Sequence, residues 1–260
     1  MRHHPHPRPG RASVPIRIAV AALAAATMIG CTPTADPGKD GQQTMETPSE
    51  SASAAPPGVP GDADHPEERR RVVRELWESG SRDTARIVAS PESMHVKTVE
   101  NDVLPKEWEL LLFQGSGPHS AAIYAAVGPR ESTILLSRRP EGYAKLADTA
   151  EIRVDSADKA MAVTEFFLDK TRDLSVHQFF LRGPDDAELS RFGDVSKAED
   201  QIARAVKKPV VTERRKGYQV VAFVQRADRI ERWKGTVTGD GKVSGTFTPV
   251  ITDLPVDTLR

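Results

Sequence analysis

Two side chains in the sequence stand at a spacing that could support nucleophilic catalysis. Ser156 and Lys159 are three positions apart at the start of a predicted helix, so one helical turn would bring the amine close to the hydroxyl. An unprotonated lysine amine at that position can take the serine proton and leave an activated nucleophile. The same serine stands where a helix N-cap is expected, and serine is among the best N-cap residues. We favour the N-cap and keep the nucleophile as the alternative.

The run Ser156-Ala157-Asp158-Lys159 resembles the S-x-x-K motif of penicillin-binding proteins and β-lactamases. This resemblance implies a serine hydrolase of the bacterial envelope. The other two motifs of that family are missing, because the only asparagine is Asn101 in Glu-Asn-Asp, and Lys234-Gly235-Thr236 reverses the order of the last two residues of K-T-G. The resemblance is therefore confined to one short motif, and no catalytic residue is assigned.

The other candidates for acid–base or metal chemistry have no supporting spacing. The sequence contains no H-E-x-x-H motif and a single cysteine, so the common zinc-binding patterns are missing. His95, His119 and His177 are scattered among predicted strands and turns. We therefore predict no metal site and no cofactor.

The single cysteine, Cys31, follows a basic segment and then an apolar segment. Residues 18–30 carry no charge, and these thirteen residues would span ~20 Å as a helix, less than the ~30 Å hydrocarbon core of a bilayer. The order basic, apolar, cysteine predicts a secretory signal peptide over residues 1–30 rather than a membrane span. A secretory peptide with an incidental, non-lipidated thiol is the alternative to the interpretation that follows.

The residues Met28-Ile29-Gly30-Cys31 resemble the lipobox of bacterial lipoproteins. This resemblance implies cleavage before Cys31 and acylation of that residue. Two or more acyl chains anchor a protein stably where one is marginal. The expected location is the extracytoplasmic face of the membrane in the bacterial envelope, with the membrane as a partner through the lipid.

Residues 31–65 are predicted to be the lipidated cysteine followed by a disordered tether. The segment is rich in Pro, Gly, Ser, Thr and Ala, and Met45 and Val59 are its only large apolar side chains. Such a composition buries too little surface to offset the entropy of ordering. Residues 66–260 are predicted to be a single domain, with 66–148 and 149–260 as possible subdomains.

The predicted domain carries no net charge. Five of the 36 basic side chains and six of the 37 acidic side chains lie before residue 66, which leaves 31 of each in the domain. A domain without an overall field does not attract a polyanion, so nucleic acid is not expected as a partner.

Hydrophobic periodicity and turn residues predict the elements of this domain. Helices are predicted near 64–79, 82–89, 156–172 and 196–209, and strands over 94–99, 108–113, 121–127, 133–137, 177–181, 210–213, 218–225, 229–238 and 242–248. Asp64 is the predicted cap of the first helix, whose arginine run should form i,i+4 ion pairs on a solvated face, and Ser196 to Glu199 is a predicted capping box.

The order of these elements predicts the fold class. The last four strands are joined by short turns and must form an antiparallel meander. Helices and hairpins are segregated along the chain, so the class is α+β, with a mainly antiparallel sheet and helices packed on one face. The order of helix and curved sheet loosely resembles the cystatin-like and NTF2-like folds, a likeness that no motif supports and that implies no function.

The final hairpin has a specific predicted register. Gly239-Asp240-Gly241 suits a three-residue turn. The turn sets three pairs on one face: Val237 with Val243, Gly235 with Gly245, and Trp233 with Phe247. The glycine pair would leave a notch, which we expect the segment around Phe166 and Phe167 to fill. The alternative is a ligand groove lined by Trp233, Gly235, Gly245 and Phe247.

Two classes of function remain. The favoured one is a membrane-tethered lipoprotein whose folded domain is a non-catalytic binding or accessory module of the envelope, with a protein, a glycan or a small apolar ligand as its partner. The alternative is an envelope hydrolase whose catalytic groups come from distant segments, with Ser156 and Lys159 as the candidate pair. Converging titratable groups in a deep pocket would favour the enzyme, and a shallow groove or an exposed apolar patch would favour binding.

Overall fold

In the computed structural model, which describes residues 55–61, 63–115 and 122–257, the chain forms two antiparallel sheets with helices against them. The class is α+β, as the segregation of helical and hairpin segments predicts. The predicted signal segment, Cys31, residues 32–54 of the predicted tether and His119 lie outside the described residues.

The first sheet is apolar on both faces. Its strands are β1 (Met94–Thr98), β2 (Glu109–Gly115), β3 (Ala122–Val127) and β4 (Thr133–Leu135), in that spatial order. The central strands β2 and β3 carry apolar side chains at consecutive positions, and four consecutive residues are buried in each. Continuous apolar runs are typical of strands that are covered on both sides.

One face of the first sheet is covered by α1 (Pro66–Glu78) and α2 (Arg82–Ala89). The apolar stripes of the two helices join the sheet in one buried cluster, which includes Val72, Val73, Leu76, Ala85, Val88, Met94, Leu111, Phe113 and Ala125. Arg69 of α1 lies within this layer and is 0% exposed. Its guanidinium donates to the backbone carbonyls of Val88 at 2.6 Å and Met94 at 3.0 Å, so one side chain ties α1 to the end of α2 and the start of β1.

The second sheet is built around its longest strand. Its members are β5 (Gln178–Leu181), β6 (Val210–Arg214), β7 (Gly217–Arg226), β8 (Arg229–Val237) and β9 (Val243–Ile251). Strands β5 and β6 pair with different halves of β7, β8 pairs along its other edge, and β9 pairs with β8. The predicted four-strand meander is confirmed as β6 to β9.

Two further helices lie between the sheets, where α3 (Pro140–Thr149) and α4 (Ala157–Lys170) join the largest buried cluster. That cluster takes side chains from both sheets, including Leu110, Leu112, Tyr124, Tyr143, Leu146, Val163, Phe166, Val220, Trp233 and Val237. A fifth helix, α5 (Ser196–Ala205), packs with Leu181, Phe223 and Ile251 in a separate cluster. The described chain thus has two sheets where the sequence suggested one, and helices lie on both faces of the first.

The predicted register of the final hairpin is confirmed. Trp233 pairs with Phe247, Gly235 with Gly245, and Val237 with Val243. The backbone N–H of Thr238 donates to the carbonyl of Lys242 at 3.0 Å, and Gly241 adopts φ 78°, the left-handed conformation that glycine permits in a three-residue turn. Alternation of buried and exposed positions along β8 holds this register, because a slip of one residue would expose Trp233.

Helix α3 is not among the elements predicted from the sequence. It begins at Pro140, directly after an arginine pair, and buries Tyr143 and Leu146 against the large cluster. Its apolar stripe is short, and polar residues interrupt it in a segment of only ten residues. Tertiary burial rather than a strong local pattern therefore determines this helix.

Two predicted helix caps are wrong. The N-cap of α1 is His65, with φ 49° and no side-chain cap, and the backbone carbonyl of Asp64 accepts a hydrogen bond from Arg69 at 3.4 Å. The predicted capping box at Ser196 does not form, because Ser196 is the first residue of α5. Its N–H and hydroxyl both donate to Asp194, at 3.0 Å and 2.6 Å, so the carboxylate before the helix takes the local donors.

The arginine run of α1 is not the solvated ladder that its spacing predicts. Arg69 is buried, and Arg70 pairs with Glu67 three positions away at 2.5 Å. Arg74 pairs with Glu131 at 3.1 Å, a contact with the loop that precedes β4. Arg69 and Arg74 thus have partners outside the helix, whereas Arg70 keeps a local partner at i,i+3.

The end of the predicted tether packs on the folded part. Val59 lies against the cluster under α1 and α2, and Ala63 is 8% exposed. The last residues before the predicted boundary at residue 65 thus contact the folded part, and a single apolar side chain in a polar segment does not indicate such a contact.

Candidate functional site

Ser156 serves as a helix cap in the structure. Its hydroxyl accepts a hydrogen bond from the backbone N–H of Lys159 at 3.2 Å, which confirms the predicted N-cap of α4. The amine of Lys159 donates to the backbone carbonyl of Asp102. Each group of the S-x-x-K candidate thus has a structural contact of its own, and the geometry gives no support to a serine–lysine nucleophile.

The histidines of the described residues do not converge. His177 Nε2 lies 2.8 Å from a carboxylate oxygen of Glu188, and both side chains are mostly exposed. Its ring also contacts Phe179 at 5.3 Å between centroids. Within residues 55–61, 63–115 and 122–257, no three His, Cys, Asp or Glu side chains are grouped as a metal site would require.

The notch between Gly235 and Gly245 is closed by the sheet's own tryptophan. A Cβ atom built on Gly235 would overlap the indole of Trp233, and one built on Gly245 would lie 2.5 Å from Cε2 of the same ring. Phe166 and Phe167 instead contact Tyr143, with ring centroids 6.0 Å and 5.3 Å apart. Trp233 leans along its strand over the glycine pair and fills the notch. Helix α4 does contact β8 and β9, so the expected approach of this helix is observed, although Trp233 rather than Phe166 or Phe167 occupies the notch.

A large cleft lies between the two sheets of the described chain, with a volume of about 1600 Å³, and we call it the inter-sheet cleft. The first sheet contributes the start of β3 and the corner between β4 and α3, and α2 contributes its first turn. The other side of the cleft consists of the segment before β5, the loop after β5 and the C-terminal segment. Side chains that line the cleft include Leu76, Ser81, Ile123, Leu135, Arg138, Arg139, Arg172, Asp173, Leu174, His177, Leu189, Arg191, Phe192 and Val256.

Arg138 occupies a tight corner at the edge of the inter-sheet cleft. It adopts φ 61°, uncommon for a residue other than glycine, and its N–H donates to the carbonyls of Thr171 at 3.1 Å and Arg172 at 3.2 Å. Its guanidinium lies 2.8 Å from the carboxylate of Asp173 and 3.2 Å from Ser175 Oγ. Partial burial opposes ionisation, but hydrogen bonds from Ser175 and Arg138 lower the pKa of Asp173 to about 2. The pair therefore stays ionised and links the corner before α3 to the segment before β5, on the two sides of the cleft.

Arg139 contributes a cation whose observed partners are neutral. Its guanidinium donates to Ser79 Oγ at 3.1 Å and Ser81 Oγ at 3.4 Å, at the turn between α1 and α2. Hydroxyl groups hold the guanidinium in place without cancelling its charge. Arg139 is thus positioned to meet an acidic group in the cleft.

An exposed phenylalanine marks the other side of the inter-sheet cleft. Phe192 is 81% exposed, in a loop that hydrogen bonds attach to the C-terminal segment. Ser190 N–H donates to the carbonyl of Pro255 at 2.6 Å, and Ser190 Oγ donates to Asp257 at 2.5 Å. The loop therefore presents an aromatic ring to solvent from a fixed position, beside the apolar Leu189 and Val256. Exposed apolar side chains that are grouped at a concavity are typical of a binding site.

Only faint signals for this site are present in the sequence. Arg138-Arg139-Pro140 places two cations between a strand and a helix start, and Phe192 is the one large apolar residue between Ser190 and Asp194. Neither pattern has a motif, and the cleft takes residues from segments that are more than one hundred positions apart. Only the folded chain brings them together.

The chain matches no family model, no curated protein and no solved structure. In the part of the chain that the structure describes, no helix has the length and apolar character needed to cross a bilayer. The assignment of a site therefore depends on the geometry of the inter-sheet cleft itself.

Proposed function

We propose that the chain is a lipid-anchored protein of the bacterial envelope whose folded domain binds a ligand in the inter-sheet cleft. The observation that carries the binding role is the cleft, which combines an apolar lining, the exposed Phe192 and the positioned cation of Arg139. The anchoring role is supported by the position of Cys31 directly after the apolar segment. No catalytic group is part of this proposal.

The lining indicates the chemistry of the ligand. Arg138 is paired with Asp173, and Arg172 with Asp169 at 2.9 Å, so these guanidinium groups already have anionic partners. Arg139 has hydroxyl partners and remains available for an acidic group on a ligand. The apolar residues Ile123, Leu135 and Leu174 would cover the body of that ligand. The ligand is therefore an amphipathic molecule with an acidic head and an apolar body.

The ligand class can be tested with a fluorescent long-chain carboxylate, parinaric acid, and its uncharged methyl ester. The protein should bind the acid saturably, and Arg139→Gln should weaken that binding about tenfold because a charge-assisted hydrogen bond is lost. The ester should bind less tightly than the acid and be nearly insensitive to Arg139→Gln. Arg215→Gln, at an exposed arginine outside the cleft lining, is the matched control and should change neither affinity.

Two results would overturn the binding role: the absence of saturable binding, or equal losses in Arg139→Gln and Arg215→Gln. The anchor is tested separately with Cys31→Ser. The chain that retains Cys31 should partition into detergent and carry an acylated N-terminal peptide, and Cys31→Ser should lose both properties. Unchanged partitioning and an unchanged peptide mass would reject lipidation while leaving the binding role in place.

A further inference from the structure

The outer edge of β9 is an open strand edge without charged side chains. Strand β9 has nine residues, Val243–Ile251, and contains no charged side chain. It ends the second sheet, since its partner on one side is β8 and the sheet order stops there among the described residues. Most of its residues are exposed, including Ser244, Gly245 and Thr246. An exposed, uncharged edge of this length is a template for pairing with another strand.

The other edge strands of the two sheets are protected against pairing with another chain. Edge strand β1 carries His95 and Lys97, and β6 ends in Glu213 and Arg214. Strand β4 has only three residues and β5 only four. Charge and short length are the usual means of preventing edge-to-edge pairing. Strand β9 has neither, and proline, a further such device, occurs in it only at Pro249.

Hydrogen-bond alternation shows which groups of β9 point outward. Thr238 and Lys242 close the hairpin with a hydrogen bond of 3.0 Å from N–H to carbonyl. Hydrogen-bonded and non-hydrogen-bonded pairs alternate in an antiparallel ladder, so Ser244 and Thr246 bond inward to β8. The N–H and C=O groups of Val243, Gly245 and Phe247 therefore face away from β8.

Pro249 agrees with this assignment. Pro249 lies two positions after Phe247, so its backbone nitrogen also faces away from β8. It pairs with Glu231 next to a register shift in β8. A proline in a sheet is tolerated where its nitrogen faces away from the neighbouring strand. Proline also ends an outward ladder, because it has no N–H to donate. The open part of the edge is therefore residues 243–247.

We propose that this edge pairs with a second copy of the same chain, antiparallel and centred on Gly245. The register about that centre is self-complementary. Val243 of one copy lies opposite Phe247 of the other, and Ser244 lies opposite Thr246, each pair occurring twice by symmetry. Hydrophobic side chains thus meet on one face and hydroxyl side chains on the other.

No like charges lie directly opposite each other in this pairing. Lys242, the first charged residue before the strand, falls opposite Thr248 of the other copy. Gly245 lets the two backbones approach at the centre, and about six interchain hydrogen bonds form from the outward groups. On the core-side face, the guanidinium of Arg226 lies 4.3 Å from the ring centroid of Phe247, so the aromatic side chain is already held in place. The two second sheets join into one continuous sheet across the dimer.

The self-pairing is tested by measuring the molecular mass of the full chain in detergent at a series of protein concentrations. The parent and all variants in this test carry Cys31→Ser, which removes the predicted lipidation site. We expect a reversible dimer. The double variant Ser244→Glu with Thr246→Glu places like charges opposite each other across the dimer, and it should weaken dimerisation at least about tenfold. It should still fold, because both sites are exposed and residue 246 pairs with Lys234 within the monomer.

A charge-reversed partner makes the test specific to this register. In the double variant Ser244→Lys with Thr246→Lys, residue 246 faces Lys234 within the monomer, so its fold is first compared with that of the parent by circular dichroism. The folded lysine variant should also be monomeric, and an equimolar mixture with the glutamate variant should form heterodimers. Gln201→Glu with Ala203→Glu, at exposed positions of α5, is the matched control and should dimerise as the parent does. A parent chain that stays monomeric, a dimer that survives the glutamate pair, or a mixture that fails to associate would each overturn the proposal.

Discussion

The two sheets of this protein are specified by the sequence in different ways. The first sheet is covered on both faces, so β2 and β3 are almost continuously apolar and show no alternation. The second sheet has an exposed face along much of its length, and β8 alternates strictly between buried and exposed residues from Glu231 to Val237. Alternation fixes a register in a way that a continuous apolar run cannot. The register of β8 with β9 could therefore be predicted residue by residue, and that of the first sheet could not.

The two sheets also close their cores differently. Under α1, a buried arginine satisfies backbone carbonyls at the junction of three elements. In the second sheet, Trp233 covers two glycines that lie opposite each other. Arg69 is a buried polar group that must keep its hydrogen-bond partners. Trp233 is an aromatic ring that fits only because the two residues beneath it are glycines without side chains. Substitutions at Arg69 and Gly235 test each device separately.

Replacing Arg69 should have the largest effect. Arg69→Met keeps most of the packing volume but leaves the carbonyls of Val88 and Met94 without this donor inside the protein. A buried unsatisfied polar group costs ~1–3 kcal/mol, so the free energy of unfolding should fall by roughly 2–5 kcal/mol. Urea unfolding measures the change.

The matched control for that variant lies one position away. Arg70 pairs with Glu67 on the surface, so Arg70→Met should alter the free energy of unfolding by no more than about 0.5 kcal/mol. Equal effects of the two variants would contradict the structural role of Arg69.

Adding a methyl group at Gly235 should have the next largest effect. In Gly235→Ala the new Cβ overlaps the indole of Trp233 and the carbonyl oxygen of Ser244, so the ring or the strand must move. Overpacking of this kind costs ~1–3 kcal/mol, and the fluorescence of the chain should report a shifted tryptophan. In the control Gly239→Ala the nearest atom is the carbonyl oxygen of Val154 at 3.8 Å, so stability should change little. A neutral Gly235→Ala would mean that the notch is open after all.

This contrast explains how much of the fold could be predicted. The α+β class, the C-terminal meander and the pairing of Trp233 with Phe247 followed from period and turn chemistry. Helix α3 and the separation into two sheets did not, because both depend on burial between segments far apart in sequence. The filled notch was missed for a related reason: pairing predicts which residues are opposite, but not the direction in which a large side chain leans.

The candidate site was less predictable than the fold. Ser156 was correctly predicted as a cap, since capping is a local property. The inter-sheet cleft joins Ser81, Arg139 and Phe192, which no local pattern relates. Arg139 takes its position from two serine hydroxyls about sixty residues before it. Such a site becomes visible only when the chain is folded.

Removing the cap of α4 should have a moderate effect, because this helix contacts strands of the second sheet and supports the large cluster. Ser156→Ala should lower the free energy of unfolding by about 1 kcal/mol, whereas Ser156→Asp should preserve it, since a carboxylate also accepts from the third N–H of the helix. Thermal unfolding of the three proteins gives the order. A covalent adduct at Ser156 with a fluorophosphonate or β-lactam probe would contradict the capping role and restore the hydrolase.

The smallest effect is expected at the Asp173–Arg138 pair, which links the corner before α3 to the segment before β5. Hydrogen bonds to Asp173 outweigh the opposing effect of partial burial and hold its pKa at about 2. The ordinary value in an unfolded chain is about 3.9, so the folded state favours the ionised form and gains stability above pH ~4. This contribution is lost as the pH falls from about 4 to about 2. Both side chains are more than one-third exposed, so solvent screening reduces it to roughly 0.5–1 kcal/mol. Asp173→Asn should therefore be less stable than the parent at pH 7 and equally stable near pH 2, whereas Asp155→Asn, at an exposed site elsewhere, should follow the parent throughout. A deficit in Asp173→Asn that persists unchanged to pH 2 would show that its origin is packing rather than charge.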